Sequence, residues 1–176
     1  MPSSPAWRNY LTIARLWDVL AVIAIGFALW KIFLAPRRFE ASRTHRAPHA
    51  VFARLGGGTF HLADQRGHVV FLDFYASWCE PCKIELPLVE GWARAHRSAV
   101  VVPVDVGEPA ATVRAFARRF RIENVAVDPT SNSSALFSIV GFPTVVVVDA
   151  DGFERAKWEG LNPAIALAMS NAERSL

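Results

Sequence analysis

Cys79-Glu80-Pro81-Cys82 holds the only two cysteines of the 176-residue chain. Two thiols at this spacing can cycle between dithiol and disulfide, the first attacking a foreign sulfur and the second resolving the product. They follow an apolar run, Val69-Val70-Phe71-Leu72-Asp73-Phe74-Tyr75, and precede a helical pattern over Lys83 to Arg97. A strand that delivers such a pair to a helix start is the geometry of a redox centre. The first thiol then faces unpaired N–H groups and the positive end of the helix dipole, which both favour thiolate. Cys79 is expected to be the exposed, partly ionised nucleophile and Cys82 the resolving thiol, about one helical turn further in. Pro81 fits the first turn, where a missing N–H costs nothing.

Other uses of the pair have less behind them. Zinc needs two more ligands at short spacing, and the five histidines (His45, His49, His61, His68, His96) are scattered. A structural bridge across two residues adds little, because stabilisation grows with loop length. A copper chaperone using both thiols as soft ligands would want further Met, Cys or His motifs, and none is present.

The elements around the pair read as α/β. Val69 to Tyr75 is a central strand covered on both faces. Lys83 to Arg97 is helical, with apolar residues at helical spacing at Ile84, Leu88 and Trp92 and Pro87 expected to kink it. Ala99 to Val106 is a second buried strand. Glu108 to Arg121 is amphipathic, with Val113, Phe116, Ala117 and Phe120 inward and arginines outward. Val125-Ala126-Val127 forms a short extended piece, and Ser134 to Ile139 a short helix. Val145 to Val148, the turn Asp149-Ala150-Asp151-Gly152 and Phe153 to Trp158 make a hairpin. Pro163 to Arg174 closes as a helix. This order gives a mixed sheet between helices.

Upstream, Leu16 to Ala35 is interrupted only by Asp18 and Lys31 and reaches the ~20 residues that a bilayer requires if both charges snorkel outward. Trp17 and Trp30 sit where an aromatic belt would put them. A cleaved signal or a buried helix are the alternatives, but no small-x-small site follows and the apolar character runs all round. The expected organisation is a tail over 1–15, a transmembrane anchor over 16–35, a flexible basic linker over 36–58 ending in Gly56-Gly57-Gly58, and a globular domain over 59–176. The chain carries a net charge of +3, but residues 1–54 alone carry +6, so the remainder is mildly acidic at −3. That excludes a basic-patch case for nucleic acid. Lys and Arg are denser after the anchor than before it, which by the positive-inside rule would keep the domain in the cytoplasm.

Taken together, the motifs resemble the thioredoxin superfamily, and within it the membrane-anchored TlpA/ResA-like thiol-disulfide oxidoreductases, from about Gly58 to the C-terminus. Phe74-Tyr75-Ala76-Ser77-Trp78-Cys79-Glu80-Pro81-Cys82 is similar to the active-site signature, with Tyr75 where the family usually has Trp. Glu85-Leu86-Pro87 has the spacing of the subfamily's E-x-P. Gly141-Phe142-Pro143-Thr144 resembles the cis-proline loop, and Phe60 to Gly67 the leading hairpin.

The resemblance implies a thioredoxin-like fold and a redox dithiol needing no cofactor or metal. It implies a cis Pro143, with Phe142 or Thr144 backbone free to pair with an extended substrate. Trp78 is expected to cover the disulfide. Asp73 matches the buried acid of thioredoxins, although the TlpA-like group often has an amide there. Buried in a strand it needs a raised pKa or a partner, and it can take the Cys82 proton; the alternative is a solvent-facing edge. Glu85 is a second proton shuttle. Glu80 beside Cys79 disfavours the thiolate, with Lys83 offsetting it in part. The resemblance further implies a single-pass protein of the bacterial inner membrane with its domain in the periplasm. Its substrates would be protein disulfides, as in apocytochrome c or other metalloprotein precursors, and a membrane partner would supply electrons. An oxidase or isomerase is the runner-up, and a non-catalytic scaffold is disfavoured by the intact dithiol.

Overall fold

The computed structural model describes residues 17–27 and 45–176. Residues 17–27 form a helix whose side chains are exposed. Among the described residues no helix is long and apolar enough to cross a membrane. The rest of the expected anchor over 16–35, the tail over 1–15 and the first part of the expected linker lie outside the described residues.

From His45 onward the chain builds one eight-stranded sheet in the order β1-β8-β7-β4-β5-β6-β2-β3. The strands are β1 (His45–Arg46), β2 (Val51–Arg54), β3 (Thr59–His61), β4 (Val70–Tyr75), β5 (Val100–Val106), β6 (Ala126–Asp128), β7 (Thr144–Val148) and β8 (Phe153–Glu159). The helices are α1 (Glu80–Ala95), α2 (Ala110–Phe120), α3 (Asn132–Leu136) and α4 (Ile165–Ser175). β4, β5 and β6 run parallel, and β7 pairs antiparallel with both β4 and β8. This is the mixed α/β sheet that the order of elements predicts.

β4 is buried at all six positions, as its apolar run requires of a strand covered on both faces. Val70, Leu72 and Phe74 face a core made with Phe52, Phe60, Leu62 and Phe137. Phe71 faces the opposite core with Val89, Trp92, Ile165 and Met169. Asp73 and Tyr75 share that second face by the period-two alternation of a strand.

The linker expected over 36–58 gives way to sheet from His45. β1 pairs with Phe153 and Glu154 of β8, and β2 bridges β3 and β6. Phe52 accounts for this: it is buried, stacks on Phe60 and meets Phe74 edge-on. Burying such a ring recovers on the order of 2–3 kcal/mol, enough to hold a short strand in place. The glycines make the β2–β3 turn, with Gly57 and Gly58 at positive φ and Arg54 N donating to Gly58 O (3.0 Å). The leading hairpin therefore lies upstream of the segment expected to form it, and Leu62–Gln65 is a 3₁₀ turn.

α1 also differs from expectation. It begins at Glu80, continues through Pro87, and buries Cys82, Glu85, Leu86, Val89, Glu90 and Trp92. Of the apolar residues whose spacing marks the helix, Trp92 is buried while Ile84 and Leu88 are 59% and 40% exposed. The helix is turned so that two carboxylates, Glu85 and Glu90, occupy its inner face.

Candidate active site

β4 ends at Tyr75, and Ala76-Ser77-Trp78 turns the chain into α1. Cys79 is the N-cap: its backbone is extended (φ −77°, ψ 107°) and its Sγ accepts from Cys82 N at 3.2 Å. The cap satisfies one of the orphan donors of the first turn and holds the sulfur at the positive end of the helix dipole. Pro81 stands in that first turn, where its missing N–H breaks nothing. Cys79 and Cys82 are joined as a disulfide with Cα atoms 5.3 Å apart. Contrary to the expectation of an exposed nucleophile, Cys79 is only 4% accessible and Cys82 is fully buried. Tyr75, Leu86, Val113 and Phe116 pack with them, and Phe142 closes over this cluster.

Trp78 is 68% exposed. Its ring meets Phe142 edge-on, with centroids 6.0 Å apart, so it forms a surface aromatic pair with the opposite loop and is not a packed core tryptophan. The Phe142–Pro143 peptide is cis. Pro143 is buried, and its carbonyl accepts from Gly160 N at 2.8 Å. Thr144 is buried too; it stands in β7 opposite Phe74 and Glu159, and its Oγ1 donates to Gly141 O. Being enclosed by the sheet, Thr144 is not open to an added strand, contrary to one of the expected alternatives. Phe142, half-buried at the rim, has no backbone–backbone hydrogen bond among the described residues.

The elements that carry the dithiol also hold a set of buried acids. Asp73 is fully buried, and neither oxygen has a hydrogen-bond partner, so the edge-strand alternative is excluded. Burial, then the charges of Glu85 and Glu90, push its pKa well above the usual carboxylate range. Glu85, three residues after Cys82, is buried and accepts from Asn162 N at 2.6 Å; burial raises it while that hydrogen bond draws it back. Glu80 is exposed and paired with Lys83.

Four polar residues of this region were not anticipated from the sequence. Glu90 accepts from Glu123 N (3.2 Å), lies 3.7 Å from Arg94, and is raised to about 7 by burial. Asp105 pairs in register with Tyr75, is fully buried, and is pushed up to about 8 by burial and the nearby Glu108 carboxylate. Glu108 in turn accepts from both Ser77 N (2.5 Å) and Ser77 Oγ (2.7 Å). It thus ties the end of β5 to the turn that carries Cys79. Burial, with Asp105 and Asp73 next in weight, raises the Tyr75 phenol above its ordinary range.

Two of these carried a signal. Asp105 is a lone acid in an apolar strand, the same pattern as Asp73. Glu90 follows from fixing the helical phase on Cys82, which must point inward, in place of Ile84. Ser77 and Glu108 meet only through the sheet. Among the described residues no group of His, Cys, Asp and Glu is arranged to hold a metal ion.

This arrangement resembles proteins of known type. Residues 44–156 match the model of the AhpC/TSA family. The thiol-disulfide oxidoreductase ResA of Geobacillus thermodenitrificans is 30% identical over 137 residues, spanning 76% of this chain and 78% of its own. ResA of Bacillus subtilis is 26% identical over 137 residues, 76% of each chain. A solved structure from Chlorobium tepidum, assigned as a thiol:disulfide interchange protein DsbE, superposes with a TM-score of 0.71 at 27% identity, covering 76% of this chain and 96% of that one.

Proposed function

Because the chain belongs to the AhpC/TSA family and is a thiol-disulfide oxidoreductase of thioredoxin-like fold, we propose that it works as a reductase of disulfides in extracytoplasmic proteins. The observation that carries this direction is the set of buried acids on the elements that hold the dithiol, Asp73 in β4 and Glu85 and Glu90 on the same inner face of α1 as Cys82. Negative or ionisable carboxyls beside a thiol disfavour its thiolate. A couple whose thiolate is not stabilised is less oxidising. Burial of both sulfurs acts in the same sense, because it penalises the charged form, and Glu80 beside Cys79 adds to it, offset in part by its pairing with Lys83.

In the proposed cycle the Cys79 thiolate attacks one sulfur of a client disulfide. A mixed disulfide forms and the client's other sulfur leaves as a thiolate. Asp73, in its ionised form, takes the Cys82 proton, with Glu85 as an alternative acceptor. The Cys82 thiolate attacks Cys79 Sγ, closing the intramolecular disulfide and releasing the second client thiolate. Two electrons pass from the protein dithiol to the client disulfide. A dithiol reductant, held by a membrane partner in this reading, restores the starting state. The Phe142 backbone receives the client segment and Trp78 flanks it. The segment over 16–35 anchors the protein in the bacterial inner membrane with the domain in the periplasm, and precursors of c-type cytochromes or other metalloproteins are the proposed clients. Apolar length and the two boundary tryptophans support the anchor.

Trapping tests the reading. A Cys82→Ser chain should hold its client through Cys79 as a mixed disulfide that a reductant releases, whereas Cys79→Ser should hold none. A reduction potential near about −120 mV, the range of strong oxidants, would overturn the reductase direction.

A further inference from the structure

A groove of about 540 Å³ opens between the start of α1 and one face of α2, with Ser77 and Glu80, which flank Trp78 and Cys79 in the chain, among its lining residues. Ser77, Glu80 and Lys83 form one side, and Phe116, Arg119 and Phe120 the other. Residues Phe142, Pro143 and Thr144 take no part in it, so it lies apart from the proposed strand-pairing edge.

The spacing on α2 explains the groove. Thr112, Ala115, Phe116, Arg119 and Phe120 recur at three and four residues and so share one helical face. Phe116 and Phe120 touch, with ring centroids 4.5 Å apart, and make an aromatic wall. Ala115 contributes almost no bulk, which keeps the space open. The Arg119 guanidinium lies 5.6 Å from the Phe120 ring centroid and has no carboxylate partner among the described residues. On the facing side the charges of Glu80 and Lys83 neutralise each other. Arg119, exposed and without such a partner, therefore stands beside Phe120, across the groove from Glu80, the residue that follows Cys79 in the chain. Phe116 is buried and Phe120 half-buried, so the groove offers the rim of a packed aromatic wall, and a free guanidinium beside it complements a carboxylate.

We propose that this groove is a specificity subsite of the dithiol, taking an apolar or aromatic side chain that flanks the reactive cysteine of the client, with a client carboxylate against Arg119. The inference rests on disulfide exchange at Cys79. Nearness in the chain selects the occupant: Glu80 follows Cys79 and lines the groove, so a segment whose cysteine is bonded to Cys79 can lay a neighbouring side chain in it.

The test uses the full chain, reduced beforehand, in single-turnover reaction with three probes. Two are hexapeptides with one cysteine capped by glutathione, one bearing Phe-Glu beside the cysteine and the other Ser-Lys. The third is glutathione disulfide, whose rate reports the dithiol itself. In each reaction the protein dithiol becomes a disulfide and the two halves of the probe leave as thiols. The expected result is that the Phe-Glu peptide reacts about 10-fold faster than the Ser-Lys peptide, the range for filling one apolar pocket. Ala115→Trp, which fills the groove, and Arg119→Glu, which reverses its charge, should each bring that ratio close to one. Equal rates for the two peptides with the unaltered chain, or a ratio that survives both substitutions, would overturn the subsite. Failure of all three probes to react would instead remove the exchange reading on which it stands.

Discussion

The backbone N–H of Asn162 donates to the Glu85 carboxylate at 2.6 Å, across 77 positions of sequence. This bond fastens the inner face of α1, three residues past Cys82, to the segment that leads into α4. The carboxylate is buried and the Asn162 segment half-buried, so water only partly replaces the acceptor when it is removed.

Removing that acceptor should therefore cost more than its net contribution as a bond. Glu85→Ala should destabilise the oxidised protein by about 1–3 kcal/mol, the penalty for a buried donor left unmet, and Glu85→Gln by clearly less because an oxygen remains. Urea denaturation of both variants measures this. Equal losses for Ala and Gln would mean that the charge, not the acceptor, matters.

Asp73 should control the resolving step. Burial and the neighbouring Glu85 and Glu90 raise its pKa, so its capacity to accept the Cys82 proton grows as pH rises. Asp73→Asn should slow intramolecular resolution of a Cys79 mixed disulfide by about 10- to 100-fold and flatten its pH dependence. Stopped-flow tryptophan fluorescence across the pH range reads both, and an unchanged pH profile would assign the proton to another group.

The buried acids should also make the fold less stable in alkali. Their carboxyls titrate near about 4 in the unfolded chain, while Glu90 and Asp105 are raised to about 7 and about 8 in the folded one. The folded state binds these protons more tightly. The stability they confer is complete below about pH 4 and is lost as pH rises through the folded values. Asp105→Asn should accordingly stabilise the protein by about 1–3 kcal/mol near pH 9 and by much less near pH 5. Denaturation midpoints at the two pH values decide it.

The upstream strands predict a domain boundary. Phe52→Ala should cost about 3–5 kcal/mol, as for a ring removed from a packed core. A chain that starts at 59 should lose cooperative unfolding, whereas one that starts at 44 should keep it. Thermal scans by circular dichroism compare them; cooperative melting of the shorter chain would return β1 and β2 to the status of a tether.

Trp78 offers the opposite combination. With its ring 68% exposed, Trp78→Ala should leave stability within about 0.5 kcal/mol of the unaltered chain. It should nevertheless slow exchange with a protein disulfide such as that of insulin more than exchange with glutathione disulfide.

The sequence by itself determined the chemistry and the sheet that carries it. Two cysteines two residues apart, after an apolar run and before a helical one, leave few arrangements, because strand and helix periodicities are local and the dithiol spacing spans a single turn. It also marked Asp73, whose charge is conspicuous among apolar neighbours. The tertiary structure alone decided which face of α1 turns inward, and with it the burial of Glu85 and Glu90. Counting apolar residues favoured Ile84 and Leu88, but Cys82 must reach Cys79, and that constraint fixes the helical phase. The same holds for Phe52, whose ring finds Phe60 and Phe74 only once the sheet has assembled, and for Ser77 and Glu108, which lie 31 positions apart and meet because β4 and β5 are parallel neighbours. Contacts between residues distant in sequence are products of chain topology, and local patterns of polarity do not encode them.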